Sequence, residues 1–215
     1  MAARLTDDVG LQLLINAVAT AATLIAVILS IGPVSGAHLN PAVTAVDRWF
    51  GGLTSREAIA YVAAQIGGGT FGVVLANLMF DLDPIVLSTT SRSGAHLWLA
   101  EAVATFGLIL VIFGVVRSRR AEMAAYVVGA YIAAAFFFTS STSFANPAVS
   151  IGRMLSDTFA GIEPASVPAF LAAQLVGVVL VIPTIWLLFA DASEIADAVV
   201  VPHEERRLPR IESPP

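Results

Sequence analysis

The sequence predicts an all-α membrane protein in two similar halves, with five membrane-crossing helices and two short helices that enter the membrane and turn back. Three observations predict it. The first is composition: 57% of the 215 residues are apolar, against eleven basic and sixteen acidic ones. Counting glycine as well raises the apolar share to about 65%, well above the ~45–50% of a soluble domain. The second is a set of five long runs nearly free of charge, and the third is an internal repeat.

Charge-free runs measure crossings because a charge at the bilayer centre costs at least ~2.5–3.5 kcal/mol. They span Val9–Val46, Ala58–Phe80, Leu97–Val116 (interrupted by Glu101), Met123–Gly152 and Pro164–Ala190. The second, third and fifth each fit one helix. The first and fourth, at 38 and 30 residues, would reach about 57 and 45 Å as helices, beyond the ~30 Å hydrocarbon core. Each therefore holds a crossing and something more. In the first, Gly32-Pro33 is expected to end the helix, Val34 to Leu39 to form a loop, and Asn40-Pro41-Ala42-Val43-Thr44 to begin a second helix. Asparagine is a strong N-cap, and proline suits the first helical position. The fourth repeats this, with a loop at Thr139–Ala145 and a helix start at Asn146-Pro147-Ala148-Val149-Ser150. Irregular backbone at membrane depth survives only against protein or a watery cavity, so the pair implies a cavity.

The halves match in order. Asn40-Pro41-Ala42-Val43 recurs at Asn146-Pro147-Ala148-Val149, and Ala64-Gln65-x-x-Gly68 at Ala173-Gln174-x-x-Gly177. Paired broken helices in duplicated halves point to a pathway at the membrane midplane. Residues 1–190 read as one transmembrane domain, with a partial first repeat at 1–80 and a second at 95–190. Residues 191–215, with nine charges and four prolines, read as a disordered cytoplasmic tail. Alternating crossings put Arg48, Arg56, Arg117, Arg119, Arg120, Arg206, Arg207 and Arg210 on one side, which the positive-inside rule makes cytoplasmic.

Several functions are excluded. There is no cysteine, and His38, His96 and His203 are far apart, so neither a thiolate nor a helical zinc site is available, and no metal or other cofactor is expected. A net charge of −5 gives nucleic acid no basic surface. Gly67-Gly68-Gly69-Thr70-Phe71-Gly72 formally matches a dinucleotide motif, but it lies in an apolar run with no preceding strand, where glycines serve helix packing.

The segments Ser35–Thr44 and Phe144–Val149, each carrying Asn-Pro-Ala after an apolar helix, resemble the paired signature loops of the aquaporin, or major intrinsic protein, family. The resemblance covers Val9 to Ala190. It implies a passive channel, not an enzyme, and a homotetramer in a plasma or inner membrane with a pore in each subunit. Asn40 and Asn146 are expected to meet mid-membrane, each capping its own short helix and offering its NH₂ to a passing oxygen. The positive ends of the two helices would repel cations. In water-selective members an arginine follows the second motif; here Val149 stands there, and Arg153 lies one turn further on. By similarity, the other filter positions are Thr20, Ala134 and Ser143. Thr, Ala, Ser and Val describe a wide, uncharged constriction, as in bacterial aquaglyceroporins associated with arsenic resistance. Expected solutes are glycerol-type polyols, arsenite, methylated arsenicals and water. The resemblance makes Glu101 a structural acceptor for the loop before Asn146, gives Gln65 and Gln174 bonds between helices, and has His38 expose its carbonyl to the pore with its ring paired behind.

The duplicated plan needs six crossings. Shifting Leu97–Val116 back by the repeat offset of 106 puts its counterpart at about −9 to +10, so a missing helix is expected upstream of Met1, which makes Met1–Asp8 the outer loop after it and removes the support behind His38. An internal methionine taken as the start would explain this. A true truncation favours the alternative of a non-conducting subunit or membrane scaffold.

Overall fold

A computed structural model describes residues 2–118 and 120–189. The tail at 191–215, with Arg206, Arg207, Arg210 and His203, lies outside the described residues, as does Arg119. Eight α-helices are described: α1 Ala2–Leu5, α2 Val9–Ser35, α3 Pro41–Phe50, α4 Ser55–Met79, α5 Ala95–Arg117, α6 Ala124–Phe138, α7 Pro147–Gly152 and α8 Val167–Leu188. Short 3-10 turns at Ala121–Met123 and Pro164–Ser166 extend α6 and α8, so that five helices are long and apolar enough to cross a membrane.

The helix ends follow local chemistry. The Asp8 carboxylate accepts from the Leu11 N–H at 2.7 Å to start α2, and Thr54 and Glu57 form a reciprocal capping box at the start of α4. The expected stop at Gly32-Pro33 is corrected: α2 continues through Pro33 to Ser35. Proline removes one donor without forcing termination, whereas Gly36, at φ 70°, adopts the left-handed conformation that closes the helix.

The two most extensive helix pairings are α5 with α8 and α2 with α6, and each short helix, α3 and α7, lies against both α4 and α8. The interior is closed by Ile109, Phe113, Val46, Val181 and Ile185, with a smaller cluster of Phe144, Ile162, Val167 and Phe170 beneath the second loop. Outward residues such as Val34 and Leu187 are apolar and exposed, as expected where the solvent is lipid. Lipid tails are as apolar as leucine, so close packing and buried hydrogen bonds, more than water exclusion, decide how these helices associate.

The segment between the halves, 81–94, crosses over the exit of α7. Val86 and Ser88 donate to the carbonyls of Leu155 and Met154, and the Arg92 guanidinium donates to those of Gly161, Ser141 and Phe159. Donation from the Thr89 N–H holds the Asp157 carboxyl below the usual carboxylate range.

The two Gln-x-x-Gly helices are packed unequally. A Cβ on Gly177 would lie 2.6 Å from the Ala102 carbonyl oxygen and 2.9 Å from Thr105 Cβ, whereas one on Gly68 would meet nothing within 4 Å. Gly177→Ala is therefore expected to destabilise the protein by about 1–3 kcal/mol. Gly68→Ala should leave stability unchanged or slightly higher, since alanine is the better helix former. Thermal unfolding of both variants in detergent checks this; equal shifts would show that α5 does not pack on Gly177.

Candidate functional site

The site is built from the two loops that precede the short helices. Ala37 and Leu39 in the first, and Ser143 and Ala145 in the second, all have φ between 45° and 52°. These are the same two positions relative to each Asn-Pro-Ala, so the repeat extends to backbone conformation. With Thr142 at φ 61°, five non-glycine residues of these two loops lie in the left-handed region and carry strain, which surrounding hydrogen bonds hold in place. In the second loop the holder is Glu101, fully buried on α5. Its carboxylate accepts from the Ser141 hydroxyl at 2.7 Å, the N–H groups of Phe144 and Ala145 at 2.8 and 2.9 Å, and Gln174 Nε2 at 2.7 Å. A trans peptide points its carbonyl opposite to its N–H. Drawing those two N–H groups onto Glu101 thus turns the carbonyls of Ser143 and Phe144 away from it.

Each loop ends in a capped helix. Asn40 Oδ1 accepts from the Ala42 N–H at 2.9 Å, and Asn146 Oδ1 from the Ala148 and Val149 N–H groups at 3.0 and 3.3 Å. From the sequence, both side-chain NH₂ groups are expected to be free for a solute; in the structure each is partly engaged. Asn40 Nδ2 donates to the Ala145 carbonyl and Asn146 Nδ2 to the Leu39 carbonyl, both at 2.8 Å. One N–H of each NH₂ thus ties the halves together and the other remains.

The polar supports repeat as well. Gln174 Nε2 also donates to Ser150 Oγ at 2.9 Å, and Gln65 Nε2 to Thr44 Oγ1 at 2.9 Å. The His38 ring is held from its own half: Nδ1 is 3.1 Å from Thr44 Oγ1, Nε2 is 3.8 Å from the Asp47 carboxylate, and Tyr61 packs at 5.4 Å. Thr44 and Ser150 were missed in the sequence, although both stand four residues after their asparagines and the repeat alone pairs them.

Beside Asn40 and Asn146 lies a cavity with ≈ 670 Å³ of empty space, part of it open to the outside. Its walls are Thr20, Leu24 and Ile28 of α2, Leu108 and Ile112 of α5, Val128, Ile132 and Phe136 of α6, and both loops with Val149 and Arg153. The two capped helix starts meet beside this mostly apolar cavity, in a duplicated helical membrane protein. Residues 2–155 match the model of the major intrinsic protein family.

The chain belongs to the major intrinsic protein family.

It is 47% identical over 189 residues to aquaglyceroporin AqpS of Rhizobium meliloti (strain 1021), an alignment covering 87% of this chain and 81% of that one. It is 39% identical over 145 residues to aquaporin NIP1-4 of Oryza sativa subsp. japonica, covering 65% of this chain and 53% of the relative. With aquaporin NIP3-1 of Arabidopsis thaliana it shares 36% over 141 residues, covering 60% and 44%. Matches to these plant relatives span about half of their length. As a major intrinsic protein it is a multi-pass membrane channel for small solutes, not an enzyme.

Of the filter positions inferred for this major intrinsic protein, Thr20, Ser143 and Val149 line the cavity. Ala134 does not, and is corrected: it is exposed, while Ile132 and Phe136 of the same helix face the cavity. At 100° per residue, two positions turn a side chain through about 200°, onto the opposite face. The rotation of α6 is set by Gly129 against Ile25 and the Ala21 carbonyl of α2, and by the Tyr131 hydroxyl donating to the Ala104 carbonyl of α5. The sequence also missed the stacking of Arg92 and Arg153 on the Phe144 ring, at 5.0 and 4.3 Å from its centroid.

Proposed function

We propose that this channel passes small neutral hydroxylated solutes: glycerol-type polyols, arsenite and methylated arsenicals as neutral hydroxides, and water. The observation that carries the reading is Val149 in the cavity wall beside Thr20 and Ser143. An apolar side chain there leaves the path wider and less polar than an arginine would. The Rhizobium relative is named an aquaglyceroporin, which agrees with this. A solute sheds water on entry and regains hydrogen bonds from the loop carbonyls and the remaining N–H of Asn40 and Asn146. A cation meets the positive ends of α3 and α7 instead. The chain has no cysteine, so no pore thiolate retains a thiophilic solute.

The same reading places residues 1–190 in one channel domain, with the pore in each subunit of a homotetramer in a cell membrane and the tail at 191–215 in the cytoplasm. Stopped-flow light scattering of proteoliposomes should show glycerol and arsenite entry well above that of empty vesicles. Flux equal to empty vesicles for both would leave a non-conducting membrane scaffold as the function.

A further inference from the structure

Two buried donors on the cavity wall have no protein partner among the described residues: Arg153 Nη1 and Ser143 Oγ. We infer that Arg153 and Ser143 form a binding subsite for the hydroxyl oxygens of a neutral polyhydroxylated solute, with Arg153 as a specificity-determining residue. This rests on the channel reading above and adds a place where the solute pauses. A buried donor without a partner costs about as much as a lost hydrogen bond, and a passing oxygen relieves that cost.

The guanidinium is positioned without being neutralised. It lies 4.3 Å from the centroid of Phe144, whose other ring contacts include Arg92 at 5.0 Å and an edge-on Phe170 at 5.4 Å. Phe144 is itself pinned by its N–H on Glu101. The Glu101 carboxylate already takes four donors, and among the described residues no carboxylate lines the cavity. The side chain therefore presents a fixed cationic donor to an apolar path. Arg153 lies one helical turn beyond Val149 on the same face, so it supplies this donor without filling the constriction that Val149 leaves open. Ser143, held at φ 47°, adds a neutral hydroxyl to the lining of the same cavity.

The test is the concentration dependence of glycerol flux in proteoliposomes. Loss of a charge-assisted hydrogen bond should raise the half-saturation concentration about tenfold in Arg153→Leu. Ser143→Ala, which removes the weaker donor, should raise it less, and Arg153→Lys, which retains a cationic donor, should recover part of the loss. A purely structural role would instead lower maximal flux at unchanged half-saturation, as folded channels are lost. An unchanged half-saturation concentration in a conducting Arg153→Leu channel overturns the subsite, as does an Arg153→Lys channel no better than Arg153→Leu together with an unchanged Ser143→Ala. No glycerol flux in the unsubstituted protein overturns the channel reading itself, and the subsite with it.

Discussion

Glu101→Ala is expected to abolish solute flux and most of the folded protein. The carboxylate is fully buried and accepts from Ser141, Phe144, Ala145 and Gln174. Removing it strands four donors where water does not reach, at about 1–3 kcal/mol each. Even the low end of that sum is a large part of the 5–15 kcal/mol that holds a typical domain folded. The damage is also directional. Phe144 and Ala145 are the residues whose N–H groups orient the second loop, so a surviving fraction would carry misdirected carbonyls. Glu101→Gln is the sharper comparison, because it keeps the size but turns one acceptor into a donor facing donors. It should fold better than Glu101→Ala and conduct below the unsubstituted channel. Gel filtration in detergent with flux measured on the monodisperse fraction separates the two losses. Glu101→Ala channels conducting at the original rate would show that another group orients the loop.

Val149→Arg is expected to cut glycerol flux by more than about tenfold while reducing water flux far less. The side chain lines the cavity on the first turn of α7. An arginine there extends into the space between Thr20 and Ser143, one turn before the guanidinium of Arg153. Two cations at that separation in a low-dielectric wall repel each other, which drives the new side chain across the path. Polyols need the width that valine leaves, whereas single water molecules do not. Comparing glycerol and water permeabilities of the same vesicles reads the effect directly. Equal reductions in both would remove Val149 from the constriction.

Much of this molecule was legible in its sequence because a membrane narrows the choices. Charge-free runs located the five crossings to within a few residues. The Asn-Pro-Ala helix starts were legible because capping is local chemistry, satisfied within three residues of Asn40 and Asn146. What failed depended on distant contacts. Pro33 looked like a stop, but neighbouring residues decide helix ends, and Gly36 supplied the left-handed turn. The placement of Ala134 rests on similarity of sequence alone, which says nothing of how α6 is turned about its axis. That rotation is fixed by Ile25 and Ala104, over a hundred and about thirty positions upstream, and nothing local encodes it. The bonds from Asn40 to Ala145 and from Asn146 to Leu39 were equally invisible, since their acceptors are backbone carbonyls that any residue would supply.

Those crossed bonds have a consequence for control of flow. Each half-helix is latched by the loop of the other, so neither can withdraw without giving up a hydrogen bond to the opposite half. Moving one half alone breaks both ties, at the cost of about one ordinary hydrogen bond for each tie lost, so the two half-helices are coupled and shift together.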